Sequence, residues 1–303
     1  MTEINSKNKQ NFLKVLSLFS VVRGYNVLAL VLAQYLASIF VFSPSKSLRY
    51  VLLDKSLFFI VLASVCVVAS GYIINNFYDR EKDLINSPVK SKIDNYVSQR
   101  TRLNLYFLLN FIGVSLSFLV SWRAALFFSV YIFWIWFYSH KLQKHPIIGW
   151  VLVTLLTIAP FFAIFIYYKN YANIILVHAV FVFLLFLLRE LIKDLEKVPG
   201  NIAQNNQTIT VKYGDKVTKI LATIITVLTY VVISGMFGTF EIGLMEYYFI
   251  GVVFLLLFFI IYLWISKTKK QYILLHNLLK VIIVLGVFSL VLIDQSVIIE
   301  RLI

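Results

Sequence analysis

Long apolar stretches alternate with short polar interruptions along the whole chain. They lie at residues 15–42, 54–78, 103–121, 123–139, 146–168, 171–194, 217–239, 245–266 and 272–295. Most have close to the roughly 20 residues that an α-helix needs to cross a bilayer. Because a spanning segment must satisfy its backbone hydrogen bonds internally, the pattern predicts an all-α integral membrane protein with about nine transmembrane helices.

Two of the polar interruptions are much longer than the others. One covers residues 79–102, after the second apolar stretch, and the other covers residues 195–216, after the sixth. This spacing predicts a bundle of two four-helix halves plus one extra helix. Because low-complexity tracts and linkers are absent, we predict a single domain over residues 1–303.

Composition and charge support a membrane protein and orient it. The chain is 60% hydrophobic and only 14% charged, which excludes an ordinary soluble globular domain. Lys and Arg number 28 against 14 Asp and Glu, and most of these cations fall in alternate interruptions, beginning with the N-terminal segment. The positive-inside rule therefore predicts a cytoplasmic N-terminus. The basic excess indicates membrane lipids and an anionic ligand as partners rather than nucleic acid.

The first long interruption opens with an acidic motif, "INNFYDREKDLIN", at residues 74–86. On a helix, Asn75, Asp79 and Asp83 lie at successive turns of one face, and Lys82 flanks that face. Magnesium takes one or two protein carboxylates and completes its coordination with water and phosphate oxygens. The spacing therefore predicts a magnesium site, and the alternative interpretation is a solvated helix end.

The second long interruption follows a similar motif, "FLLRELIKDLEKVPGN", at residues 186–201. Glu190 and Asp194 lie one helical turn apart, and Arg189 and Lys193 form a basic stripe beside them. A magnesium–diphosphate ligand needs both oxygens for the metal and cations for the remaining phosphate charge. Since both motifs close an apolar stretch on the same predicted side, we expect them to serve one site.

These motifs resemble those of a known family. "NNFYDREKD" followed by "INSPVK" resembles the first aspartate-rich motif of the UbiA superfamily of intramembrane prenyltransferases. "RELIKDLEKVPGN" resembles the second motif, in the Arg-Glu-x-x-Lys-Asp form of the digeranylgeranylglyceryl phosphate synthase branch, which makes archaeal-type ether lipids. "RGYN" at 23–26 and "YSHKLQKHPIIGW" at 138–150 resemble two further motifs, so the resemblance covers essentially the whole chain.

The resemblance implies magnesium-dependent transfer of a polyprenyl group from a prenyl diphosphate. The acceptor would be membrane-associated, either a glycerol-phosphate lipid or an aromatic quinone or cofactor precursor. Asp79, Asp83 and Asp194 would be catalytic, and Asn75 and Glu190 would join them as metal ligands. The residues expected to bind the diphosphate are Arg23, Asn26, Lys82, Lys141, Arg189 and Lys193. We expect a bacterial plasma membrane, with the active site facing the cytoplasm.

The departures from the family motifs leave alternatives open. Asn76 stands where the family usually has the first aspartate, and Lys197 and Asn201 replace two acids of the second motif. A lysine removes an oxygen ligand and repels a cation, so either one or two magnesium ions would bind. The lost acids also motivate an alternative: a family member that binds prenyl diphosphate or lipid without turnover. A transporter is less favoured, because its polar groups would lie near the bilayer midplane.

Overall fold

The computed structural model describes residues 2–240 and 242–293, with side chains from Phe12 onward. Every regular element in this part of the chain is helical. The α-helices are α1 (Thr2–Val21), α2 (Gly24–Ala37), α3 (Leu48–Leu52), α4 (Lys55–Tyr78), α5 (Arg80–Asn86), α6 (Pro88–Asp94), α7 (Gln99–Val120), α8 (Trp122–His140), α9 (Pro146–Tyr168), α10 (Asn173–Glu196), α11 (Val198–Ala203), α12 (Ile209–Thr239), α13 (Met245–Ile265) and α14 (Lys269–Ser289). A π-helix covers Ser38–Phe42, and short 3₁₀ helices cover Leu142–Lys144 and Leu290–Leu292.

Eight helical segments within the described ranges are long and apolar enough to cross a membrane. They are Gly24–Phe42, Lys55–Tyr78, Gln99–Val120, Pro146–Tyr168, Asn173–Glu196, Ile209–Thr239, Met245–Ile265 and Lys269–Leu292. The prediction of an all-α integral membrane protein is therefore confirmed. Helix α8 has 19 residues but falls outside this set, since its Trp, Tyr, Arg and His residues lower its hydropathy. The count of nine spans and the cytoplasmic N-terminus stay predictions.

The first apolar stretch is not one continuous helix, which corrects the prediction for residues 15–42. Helix α1 ends at Val21 and α2 begins at Gly24, because Arg23 adopts a positive φ of 50°. A non-glycine residue in this region is uncommon, and here it interrupts the helix. The Phe19 ring lies so close to Gly24 that any Cβ would collide with it. The membrane-crossing segment therefore begins at Gly24.

The chain divides into two compact units. The first unit comprises the residues up to Leu32, Phe59–Leu142 and Pro199–Asn205. Its core contains Val21, Ile73, Ile74 and Tyr106. Helix α4 approaches α7 closely, since a Cβ on Gly113 would lie only 2.9 Å from Val67. Helix α1 packs against α6 in the same unit.

The second unit comprises Ala33–Phe58, Gln143–Val198 and the residues from Asn206 onward. Its core is built largely from α10, α12, α13 and α14, and it includes Leu188, Met236 and Phe259. Polar side chains tie elements together within this unit: Trp150 Nε1 donates to Leu187 O at 2.9 Å. The prediction of a single domain over 1–303 stays a prediction.

Candidate functional site

The first acidic motif continues the path of a membrane helix past a short irregularity. Helix α4 ends at Tyr78 and α5 begins at Arg80, with Asp79 at φ −89° and ψ 11° between them. The helical hydrogen-bond pattern nevertheless continues. The amide of Asp79 donates to Asn75 O at 2.8 Å, and the amide of Asp83 donates to Asp79 O at 2.8 Å. The structure therefore retains the predicted spacing of one helical turn between these residues.

The carboxylates of this motif are buried and only partly satisfied. Asp79 is 6% exposed and Asp83 is 7% exposed. Asn75 Nδ2 donates to Asp79 Oδ2 at 3.0 Å, and Lys82 Nζ lies 3.5 Å from the same oxygen. The other oxygen, Asp79 Oδ1, is buried and accepts no hydrogen bond from the described residues. Leaving a buried acceptor unsatisfied costs about 1–3 kcal/mol, so this oxygen suits a bound cation.

The end of the second motif packs against the first motif inside the first unit. Gly200 lies so close to α5 that a Cβ would stand 2.8 Å from Lys82 O and would overlap the Asn86 amide. The side-chain amide of Gln204 donates a hydrogen bond to Tyr78 O. Asn201, which replaces a family acid, is 3% exposed. This packing was missed from the sequence, although the short Pro199-Gly200 step was its one visible signal.

A buried cluster of polar contacts around Asp94 lies against the same end of α4. It was not predicted from the sequence. Asp94 is 2% exposed and accepts hydrogen bonds from Ser20 Oγ at 2.7 Å and Asn76 Nδ2 at 2.9 Å. Lys90 Nζ forms an ion pair with it at 2.8 Å. Arg102 NH1 donates to Asn76 Oδ1 at 2.6 Å. Asn76 therefore connects α4 to α6 and α7, where the family usually has an aspartate.

The second motif, in the second unit, has a carboxylate that is already paired. Glu190 Oε2 lies 2.5 Å from Lys193 Nζ, and Glu190 Oε1 lies 3.6 Å from Arg189 NH1. The predicted ligand Glu190 thus contacts two of the predicted diphosphate-binding cations. Asp194 Oδ2 accepts a hydrogen bond from the Thr210 amide at 2.9 Å, which ties α10 to the first turn of α12.

A further acid of this stretch is engaged elsewhere in the same unit. Glu196 Oε2 lies 2.7 Å from His276 Nδ1 on α14. The side chains of Glu196 and His276 are 15% and 10% exposed, so the pair is largely removed from solvent. The two residues are 80 positions apart in the sequence, so no local pattern indicates this pair. Glu196 is therefore part of the contact between α10 and α14.

The remaining predicted diphosphate-binding residues have no described contact with Asp79 or Asp83. The Arg23 guanidinium lies 4.9 Å from the centroid of the Tyr72 ring, a cation–π contact. Asn26 is partly buried in the first turn of α2. Lys141 is exposed and ends α8. Among the predicted cations of the first unit, Lys82 lies beside an acid of the first motif, with its Nζ 3.5 Å from Asp79 Oδ2.

The donor set of the first motif fits magnesium. Across residues 12–240 and 242–293, no group of three His, Cys, Asp or Glu side chains is arranged to hold a metal ion. Magnesium does not require such a group, since one or two carboxylates with phosphate and water oxygens suffice. Asp79 and Asp83 would supply the two carboxylates, and Asp79 Oδ1 is a buried oxygen with no hydrogen-bond partner among the described residues.

Comparisons with known proteins find related sequences and structures. The model of the UbiA prenyltransferase family matches residues 27–273. A digeranylgeranylglyceryl phosphate synthase from Methanosphaera stadtmanae is 29% identical over 173 residues, which cover 56% of this chain. The aligned part spans 63% of that relative's length.

Two solved structures share the fold. One concerns digeranylgeranylglyceryl phosphate synthase in membranes; it has a TM-score of 0.67 and 18% identity, covering 92% of this chain and 97% of that one. The other is a UbiA homologue from Archaeoglobus fulgidus bound to GPP and Mg²⁺. It has a TM-score of 0.61 and 12% identity, covering 91% of this chain and 99% of that one.

Proposed function

Because the chain belongs to the UbiA prenyltransferase family, we propose that it transfers a polyprenyl group from a prenyl diphosphate to a membrane-associated acceptor in a magnesium-dependent reaction. The observation that carries the proposal is the buried pair Asp79 and Asp83, with one oxygen of Asp79 left without a hydrogen bond. The homologue from Archaeoglobus fulgidus binds both a prenyl diphosphate and Mg²⁺, which supports the same ligand pair.

The reaction breaks the bond between the first carbon of the prenyl chain and the diphosphate oxygen, and the electron pair leaves with the diphosphate. The acceptor hydroxyl forms the new carbon–oxygen bond and loses its proton to water. Bound magnesium would neutralise the charge that develops on the leaving diphosphate. Asp79 and Asp83, with Asn75, would hold the ion.

The residues around Asp79 prepare it for this task. Asn75 and Lys82 both contact Oδ2, so they fix the carboxylate and leave Oδ1 for the metal. Lys82 would also supply a fixed positive charge to a bound diphosphate, and preorganised charge of this kind is the main source of electrostatic catalysis.

The second motif has a supporting role in the proposal. Glu190 forms ion pairs with Lys193 and Arg189, so we do not include it among the metal ligands. Asp194 remains a candidate ligand of a second ion, because its carboxylate is oriented by the Thr210 amide.

A glycerol-phosphate lipid is the acceptor that we propose. The relative from Methanosphaera stadtmanae is a digeranylgeranylglyceryl phosphate synthase, and so is the subject of the structure with the TM-score of 0.67. An aromatic acceptor is the other outcome of the test below.

We place the acidic motifs on the cytoplasmic face, on the basis of the positive-inside bias. The prediction of a bacterial plasma membrane stays a prediction, since the curated relative is archaeal.

The test uses purified protein in lipid nanodiscs with radiolabelled geranylgeranyl diphosphate and a panel of glycerol-phosphate and aromatic acceptors. Product formation should require magnesium. It should fall on the order of 10²-fold in Asp79→Asn and in Asp83→Asn. Glu81→Gln is the matched control, because Glu81 is exposed in the same helix. Equal activity of the wild type and both asparagine variants would refute the assignment of the site.

A second candidate function is binding of prenyl diphosphate or lipid without turnover. It is favoured by Lys197 and Asn201, which replace two acids of the second motif. In this case the diphosphate would bind in the presence of magnesium, and no acceptor would give a product. Lys197→Asp with Asn201→Asp would then be the variant in which to look for restored activity.

A further inference from the structure

A narrow cleft lies between α4 and α7 in the first unit, next to the acidic motif. Its polar lining consists of Asn76, Arg80, Gln99 and Arg102, and the remaining lining is apolar. Its volume is about 10 Å³, which is room for about one water molecule. Two arginines therefore line one small space.

Neither arginine forms an ion pair with a carboxylate that the structure describes. Among the described side chains, no carboxylate lies within 4.0 Å of Arg80 or Arg102. The nearby Asp94 is already paired with Lys90 at 2.8 Å. Two like charges that line one cleft repel each other. This arrangement favours a site whose missing component is an anion.

The contacts of Arg102 orient its guanidinium without neutralising it. Arg102 NH1 donates to Asn76 Oδ1, and Asn76 Nδ2 donates in turn to Asp94 Oδ2. Asn76 is a neutral amide, so this contact leaves the positive charge in place. Arg102 Nε is buried and has no hydrogen-bond partner among the described residues. A buried donor of this kind is stabilised by an acceptor that enters the cleft.

The chemistry of the cleft points to a phosphate group. Guanidinium groups present paired donors that match phosphate oxygens, and two of them match the charge of a phosphomonoester. We propose that the cleft of Arg80 and Arg102 binds the phosphomonoester headgroup of the acceptor lipid, a proposal that rests on the function proposed above. Arg80 and Gln99 are exposed, so both side chains can move to admit a group larger than water.

The cleft is distinct from the metal ligands, although it lies on the same helix end. Arg80 immediately follows Asp79 in the chain, and Asn76 immediately follows Asn75. An acceptor whose phosphate is held here would be anchored at the end of α4 that carries the metal-binding carboxylates. Fixed positioning of two reactants is a large part of the rate that an enzyme can supply.

The kinetic test compares Arg80→Gln with Arg100→Gln, an exposed arginine on α7 that does not line the cleft. Nanodiscs of phosphatidylcholine would carry a prenylated glycerol phosphate or the same lipid without its phosphate. Arg80→Gln should raise the KM for the phosphorylated acceptor roughly tenfold or more. The KM for the donor, and turnover of the lipid without phosphate, should stay at the wild-type values, and Arg100→Gln should match the wild type throughout.

A second variant tests whether binding needs the paired donors of a guanidinium group or only a positive charge. Arg102→Lys keeps the charge but loses the paired donors, so it should also raise the KM for the phosphorylated acceptor. An increase in the donor KM that equals the increase in the acceptor KM, in Arg80→Gln or Arg102→Lys, would overturn the proposal.

An equilibrium binding measurement tests the cleft independently of whether the protein forms a product. The probes are a dialkylglycerol phosphate, phosphatidylglycerol and inorganic phosphate, each with wild type, Arg80→Gln and Arg100→Gln. Tighter binding of the dialkylglycerol phosphate than of the other two, weakened only by Arg80→Gln, supports the cleft even if the wild type forms no product. Equal binding of phosphatidylglycerol would assign the cleft to ordinary anionic lipid. Equal binding of inorganic phosphate, or equal binding by all three proteins, would likewise overturn the proposal.

Discussion

Replacing Gly200 by alanine should disturb the first acidic motif from outside it. A Cβ at this position would stand 2.8 Å from Lys82 O, while ordinary contact begins at 3.4 Å. The two backbones must therefore separate by about 0.6 Å, in addition to any movement of Asn86. Overpacking of a tight contact typically costs about 1–3 kcal/mol.

The same separation should lower the rate of prenyl transfer, because Lys82 and Asp83 belong to the helix that is displaced. A displacement of about 1 Å can cost on the order of 10²-fold in rate, so we expect a loss of roughly tenfold or more in Gly200→Ala. The magnesium concentration for half-maximal rate should rise as well. The assays are thermal unfolding in detergent and a magnesium titration of product formation.

Gly235→Ala is the matched control for Gly200→Ala. Gly235 lies inside α12, and a Cβ there would meet no atom within 4 Å. Because glycine is worse than alanine in a helix by about 0.5–1 kcal/mol, the control should keep or slightly raise the thermal stability. Wild-type stability and wild-type magnesium dependence in Gly200→Ala would refute the packing argument.

Three further substitutions test separate contacts by thermal unfolding. Asp94→Asn removes the negative charge that pairs with Lys90 and should lower the free energy of unfolding by about 2–3 kcal/mol. Glu81→Gln, which changes an exposed side chain, should leave that free energy almost unchanged. Asp54→Ala should cost about 1 kcal/mol, since Asp54 Oδ1 accepts from the first amides of α4; an unchanged melting temperature would contradict the cap. Glu190→Gln should destabilise by about 2 kcal/mol without changing the magnesium dependence, and a weakened magnesium dependence would restore Glu190 as a ligand.

The apolar stretches predicted membrane-crossing helices, and helical spacing predicted the face of the first motif. The hydrogen bond from Asn75 to Asp79 joins residues four apart, which is the spacing that the sequence displays directly. Local spacing could also have predicted the pairing of Glu190 with Lys193, three residues away, in place of a role as a metal ligand. Both contacts join residues three or four positions apart in one helix, so they follow from helical spacing and can be predicted from the sequence alone.

Contacts between distant segments could not be predicted in this way. Ser20 and Asp94 are 74 residues apart, and Tyr78 and Gln204 are 126 apart, so no local pattern links them. The turn at Arg23 could not be predicted for a different reason. Apolar residues continue on both sides of it, so the hydrophobic pattern shows no break in the helix. Tertiary packing, rather than propensity, determined these features.

The continuous hydrogen-bond path from α4 through Asp79 makes the length of that membrane helix a constraint on its evolution. Each residue deleted from α4 would draw the carboxylates about 1.5 Å toward the hydrocarbon and rotate them by about 100°. A deletion of seven residues would nearly restore the direction of the acidic face but would shift it by about 10 Å along the helix axis. Insertions and deletions between Lys55 and Asp83 should therefore be strongly disfavoured.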